Sequence, residues 1–149
     1  MKPSSLLHHG LGASCASFGI ALCALTPLAY AADPALQQAI ERGANNFAHN
    51  GFAGNGRVCE TCHVGGGMQP GHRPDGAPMP SLMNAAAVFP RMSRDGSGII
   101  TLSDQIHNCI DGAIEGKVPA YGSDELNSLA LYVTSLSRGK PVEPGGQPK

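Results

Sequence analysis

Apolar residues recur at helical spacing in three separated stretches of the chain. Leu36, Ile40, Gly43 and Phe47 fall at i, i+4, i+7 and i+11 on one helix face. Asp33-Pro34 opens that helix, the aspartate as N-cap and the proline at the first helical position. The glycine-rich run from Asn50 to Gly56 stops it. A second face carries Leu102, Ile106, Cys109 and Ala113, with Ile110 and Ile114 beside it, a start at Thr101-Leu-Ser-Asp104 and an end at Gly116. The third holds Leu126, Leu129, Ala130, Val133 and Leu136, capped by Ser123, with Asp124 and Glu125 in its first turn. Arg138-Gly139-Lys140-Pro141 terminates it. Residues 64–100 are rich in Gly and Pro, with a short helical patch from Ser81 to Phe89 ended by Pro90. So long an irregular stretch in a compact domain is expected to wrap something. No segment alternates as a strand would, so the expected fold class is all-α, with residues 143–149 as a disordered tail.

The first 32 residues have a different pattern. Pro3 to Ala32 contain no Asp, Glu, Lys or Arg, and an apolar stretch from Leu11 to Leu28 is followed by Ala29-Tyr30-Ala31. Together with Lys2 this reads as a secretory signal peptide over 1–31, cut before Ala32, and hence a periplasmic protein. The alternative is an uncleaved membrane anchor, since the stretch is long enough to span. Pro27 just before the A-x-A sequence favours cleavage.

What remains is a single domain, 32–142, with its tail. Losing Lys2 leaves nine basic against eleven acidic side chains, so there is no basic field and nucleic acid is excluded as a partner. Five aromatic residues and no tryptophan make a thin core, which a disulfide, a metal or a large cofactor usually completes. Cys15 and Cys23 leave with the leader; Cys59, Cys62 and Cys109 remain, an odd number that argues against a simple disulfide scaffold.

Cys59-Glu-Thr-Cys62-His63 has the spacing of a c-type haem attachment sequence. Two thiols so placed can add to the two vinyl groups of a porphyrin, and the next residue sets an imidazole under the iron. The expected cofactor is one covalent haem c, with His63 as proximal ligand. A zinc site drawn from His72, His107 and Cys109 lacks a compact ligand pairing. A redox dithiol would leave His63 and the long wrapping stretch without a role.

The sixth ligand has two candidates. Cys109 lies 46 residues after His63, on an apolar helix face, where the distal side of a haem would be. Met92 is the alternative. Met79-Pro80 follows His63 too soon to reach the opposite haem face, and Met68 and Met83 suit a role as apolar filler. His107 sits about 200° round the helix from Cys109, so the two cannot both face the iron. His49 and His72 lie in polar surroundings. Pro80-Ser81-Leu82 resembles the Pro-x-Leu of class I cytochromes, in which a backbone carbonyl accepts from the proximal histidine Nδ1–H.

Phe89-Pro90, Ile99 to Leu102, Ile106, Cys109, Ser123-Asp124-Glu125-Leu126 and Ser137 to Pro141 occur in an order that resembles the haem domains of SoxA sulfur-oxidation cytochromes and TsdA-type thiosulfate dehydrogenases. The resemblance covers residues 43–142. It implies a distal Cys109 ligand and, in an enzyme, a Cys109 that bonds to the sulfur of thiosulfate. Two departures stand against transfer of the activity. The family's Arg-Ile-Asn-x-Cys run is here Gln105-Ile106-His107-Asn108-Cys109, which lacks the cation a thiosulfate dianion would want. There is also one C-x-x-C-H, where the dehydrogenases pair two haems. Arg91, Arg94 and Lys117 are candidates for replacement charge.

The expected function is electron transfer linked to sulfur-compound oxidation, with a redox partner protein such as a second cytochrome subunit. A thiosulfate dehydrogenase or SoxA-like subunit acting through Cys109 is the alternative, and a haem sensor a third.

Overall fold

The computed structural model describes residues 33–149; the leader over 1–31 and the cleavage point before Ala32 lie outside the described residues. Three α-helices form the frame: α1 (Pro34–His49), α2 (Leu102–Cys109) and α3 (Asp124–Leu136). Each begins where a local side chain satisfies a free backbone donor. Asp33 accepts from the Ala35 N–H at 2.8 Å, and Ser123 from the Leu126 N–H at 3.3 Å. At α2, Thr101 accepts from the Asp104 N–H at 3.2 Å while Asp104 accepts from the Thr101 N–H at 2.7 Å, a reciprocal capping box.

Helices α1 and α3 pack face to face. Gly43 makes this possible: a Cβ there would lie 1.9 Å from the Ser128 carbonyl oxygen and 2.8 Å from the Tyr132 Cβ. Ser128 is buried for the same reason, although its position on α3 belongs to no apolar stripe. The core is Phe47, Phe52, Ile110, Ile114 and Leu129, with Cys59, Leu82 and Tyr132 packed against it. Leu36, expected on the buried face of α1, is 42% exposed, because the first turns of the helix carry no buried residue.

The all-α expectation needs correction. Two antiparallel strand pairs interrupt the stretch between α1 and α2: β1 (Gly71–His72) with β2 (Pro78–Met79), and β3 (Arg91–Met92) with β4 (Ile99–Ile100). Each closes on an aspartate that folds back on its own chain before a left-handed glycine. Asp75 accepts from the Ala77 N–H at 3.0 Å and Asp95 from the Ser97 N–H at 3.1 Å, with Gly76 at φ 81° and Gly96 at φ 74°. Strands of two residues are too short to display alternation, so only their turns left a mark in the sequence. The patch at Ser81–Phe89 reduces to a 3₁₀ turn over Ala86–Val88.

The tail expected to be disordered is held in place. The Glu143 and Gly145 N–H groups donate to the Ala87 and Val88 carbonyls at 2.8 and 3.0 Å, and the Ser81 hydroxyl donates to the Lys149 carbonyl at 2.7 Å. Its Gly and Pro content satisfies few of its own backbone groups, but the groups left open by the 81–90 segment complete them.

After Cys109 the helix widens into a π turn over Ile110–Ile114, closed by Glu115 at φ 55°. Gly116 was the expected end; the left-handed residue is Glu115, and Gly116 is needed for contact, since its Cβ would fall 2.7 Å from the Phe52 Cβ. The loop before Cys59 grips this same turn. The Asn55 N–H donates to the Ile114 carbonyl at 2.8 Å, and Asn55 Nδ2 and Arg57 Nη1 donate to the Ala113 carbonyl at 3.2 and 3.0 Å. The chain entering the C-x-x-C-H sequence is thereby fastened to the chain leaving Cys109.

Candidate haem site

A cavity of about 600 Å³ lies between these two segments. Cys59, Cys62, His63, Pro80 and Cys109 all line it, together with apolar side chains from α1, α2 and α3. That is a volume and character suited to a large, mostly apolar cofactor with a few polar anchors.

One wall is the C-x-x-C-H turn. Cys59–Thr61 forms a 3₁₀ turn, the His63 N–H donates to the Cys59 carbonyl at 3.1 Å, and the three residues are held facing the same space. The turn is fixed by its neighbours: the Val58 N–H donates to the Thr61 hydroxyl at 3.0 Å, and Glu60 accepts from the Gly66 N–H at 2.9 Å. Phe47 of α1 packs beside the His63 ring, with centroids 6.3 Å apart. Burial lowers the His63 pKa, and the Pro80 carbonyl opposes that by favouring the protonated ring. Its Nδ1 is nonetheless buried without a well-formed hydrogen bond. A neutral imidazole beside a backbone carbonyl is the condition of a metal-binding histidine whose other nitrogen is oriented from behind.

Among the described residues, no disulfide joins Cys59, Cys62 and Cys109. Burial pushes the Cys59 thiol up to about 12, and the proximity of Cys109 adds to the rise. Burial also raises the Cys109 thiol, opposed by a hydrogen bond from Gln105 and by the charges of Arg94 and Arg91.

The other expected residues separate clearly. Met92 is 56% exposed and lies outside the cavity lining, whereas Met79 lines it beside Pro80. His107 stacks on Tyr121, with centroids 4.9 Å apart and planes at 7°. His72 is exposed on β1. Among the described residues no three His, Cys, Asp or Glu side chains are grouped so that they could hold a metal ion. Of the three replacement cations, Arg91 and Arg94 line the cavity and Lys117 does not. Arg91 is 6% exposed, a burial that nothing in its local sequence signalled. Arg57 and Arg73 also reach the cavity, and the Arg73 guanidinium is paired with Asp75.

The donor set fits a covalently bound haem: three thiols and an imidazole line one cavity, and a buried nitrogen of His63 lies near the Pro80 carbonyl. Comparison with known proteins agrees. The family described as the SoxA/TsdA cytochrome c domain matches residues 42–142. A thiosulfate dehydrogenase of Allochromatium vinosum is 30% identical over 115 residues, which is 74% of this chain and 42% of the relative. One from Psychrobacter arcticus is 30% identical over 95 residues, 62% of this chain and 27% of the relative. The chain thus spans less than half the length of these curated relatives. Among solved structures, the thiosulfate dehydrogenase TsdBA of Marichromatium purpuratum superposes with a TM-score of 0.58 at 22% identity, over 83% of this chain and 29% of that one. SoxXA of P. pantotrophus gives 0.57 at 20% identity, over 74% of this chain and 37% of that one. Both share the fold.

Proposed function

The chain belongs to the SoxA/TsdA cytochrome c domain family and carries a covalently bound haem c, and on that premise we propose that it is an exported electron-transfer protein linked to thiosulfate oxidation. Cys59 and Cys62 hold the haem by thioether bonds, His63 is the proximal ligand, and Cys109 is the sixth. The observation that supports this reading is the cavity, whose lining includes the C-x-x-C-H side chains and, from α2, Cys109. Haem c supplies a one-electron couple that an exposed edge can exchange with a partner. The residues of this chain set its position and exclude water: the Pro80 carbonyl orients His63, and Phe47 and Leu129 close the apolar side.

The exposure of Met92 and its place outside the cavity lining favour Cys109 as the sixth ligand. Met79, next to Pro80 in the chain, follows His63 by 16 residues, a separation that favours Cys109 over it.

The partner is a second redox protein; SoxXA and TsdBA, both named as paired subunits, support a cytochrome in that role. No helix among the described residues is long and apolar enough to cross a membrane. Periplasmic location rests on the leader sequence, and intact mass of the exported protein tests it: the chain should begin at Ala32.

A second reading has one observation in its favour. Arg91 and Arg94 bring positive charge to the cavity that the run before Cys109 lacks. If the protein is a thiosulfate dehydrogenase or a SoxA-like subunit, that charged corner beside Cys109 would bind the thiosulfate anion. Steady-state assay of the isolated holoprotein with thiosulfate and an artificial acceptor separates the two. Electron exchange with a redox partner but no tetrathionate formation is the expected result; sustained turnover lost in Cys109→Ala selects the enzyme.

A further inference from the structure

Arg91 is a buried cation on the lining of the cavity. Among the described residues the ion pairs are Arg73 with Asp75 and Lys149 with Glu143, and Arg91 is in neither. Its guanidinium lies over the Phe89 ring at 5.0 Å, Nη1 donates to Gln147 Oε1 at a long 3.4 Å, and buried Nε has no partner. The one short hydrogen bond runs from Nη2 to Gln105 Oε1, at 3.0 Å. Arg91 lines the same cavity as Cys109, and its charge acts on that thiol.

Gln105 connects the two. A guanidinium can only donate, so the amide must turn its oxygen to Arg91, and this turns its nitrogen the other way. That nitrogen, Nε2, lies 3.5 Å from Cys109 Sγ, one helical turn on, and donates to it. The arginine thus determines which end of the amide the sulfur meets. Without Arg91 the amide could present either its oxygen or its nitrogen. Gln105 occupies the position at which the family's run carries arginine, and Arg91 reaches the same position from β3.

We infer that Arg91 and Gln105 are positioning residues for the Cys109 sulfur, the guanidinium orienting the amide so that its N–H is always aimed at that sulfur. The inference rests on Cys109 ligating the iron. A hydrogen bond into a coordinated sulfur draws electron density from it, which weakens its donation to the ferric iron and raises the potential. Arg91 adds a fixed positive charge that acts in the same direction. A cysteine-ligated haem in this chain is therefore tuned upward by a two-residue relay.

The test is redox titration and low-temperature EPR of the purified holoprotein. Gln105→Leu removes the donor. Gln105→Glu keeps the Arg91 contact while presenting an oxygen to the sulfur. Both should lower the midpoint potential and shift the ferric g-values, and Gln105→Glu should do so more. Arg91→Met should move them in the same direction, and Arg91→Lys, which can still donate to Oε1, should return them toward wild type. In a Cys109→Met background Gln105→Leu should change the potential far less. If Arg91→Met gives no folded holoprotein, the Gln105→Glu result decides. Unchanged potential and g-values in both Gln105 variants, with a ferric spectrum that does change in Cys109→Ala, overturn this inference and leave the ligation standing. A potential that moves in Arg91→Met but in neither Gln105 variant also overturns it, since the arginine then acts on something other than the sulfur. A wild-type spectrum in Cys109→Ala removes both readings.

Discussion

The Tyr132 hydroxyl donates to the Gly66 carbonyl at 2.7 Å, tying the middle of α3 to the turn that follows His63. The same ring meets Phe47 edge-on, with centroids 5.3 Å apart, and Phe47 in turn packs beside His63. One tyrosine thus couples the helical frame to the haem-binding loop through a polar and an apolar contact. Tyr132→Phe should keep the ring contact and lose the hydrogen bond. The expected cost is about 1 kcal/mol, read from denaturant unfolding of the holoprotein.

Gly43→Ala tests the α1–α3 contact. A methyl group cannot occupy a point 1.9 Å from the Ser128 carbonyl oxygen, so the helices must separate. Helix propensity favours alanine over glycine by about 1 kcal/mol. A fall in thermal midpoint, against that preference, shows that the close approach dominates; an unchanged or raised midpoint would mean that the two helices are not held at this distance.

Covalent attachment predicts that the denatured protein retains one haem per chain. Cys59→Ala and Cys62→Ala should each weaken or abolish that retention, visible as haem staining on a denaturing gel. Haem that extracts fully into acidified organic solvent from the wild type would defeat the assignment of these two thiols.

Axial ligands are the protein's main control on haem potential, over a span of ~0.8 V. A thiolate stabilises ferric iron and a thioether favours ferrous, so Cys109→Met should raise the midpoint potential substantially where the longer side chain fits. Met92→Leu should leave it unchanged. A near-infrared methionine–iron band in the wild type, lost in Met92→Leu, would contradict the Cys109 assignment.

The hairpin that carries Arg91 has its own pH dependence. Hydrogen bonds from the Ser93 hydroxyl and from the Ser97 backbone and hydroxyl hold the Asp95 carboxyl at about 2, below its ordinary 3.8. A carboxyl whose folded pKa is depressed contributes stability above its unfolded value and loses it as pH falls through the folded one. The turn should therefore loosen between pH 3.8 and about 2, seen as faster hydrogen exchange at the Ser97 amide. Asp95→Asn should remove that step.

Features that depend on a few neighbouring residues were legible in the chain. The caps at Asp33, Thr101 and Ser123 appear where a side-chain oxygen stands two or three residues before a free N–H, and that geometry is local. The C-x-x-C-H sequence is local too, because its two thiols and imidazole need only one turn of backbone to face the same side. The alternation that reveals a strand was absent because β1 to β4 are two residues each. The Asp-Gly turns at 75–76 and 95–96 were the remaining trace of those hairpins.

Other features exist only because distant segments meet. Gly43 and Ser128 are 85 positions apart, and neither residue type announces a helix crossing. The tail is ordered by carbonyls of the 81–90 segment, not by any preference of its own. Arg91 is buried because β3 turns it inward and Gln105, Phe89 and Gln147 receive it; an arginine in sequence looks like solvent. Met92, its neighbour, points out on the same two-residue strand. Local hydrogen bonding and spacing determined which residues could bind a haem, whereas the packing of α1, α2 and α3 decided which of them face one cavity, because that choice depends on the relative placement of surfaces far apart along the chain.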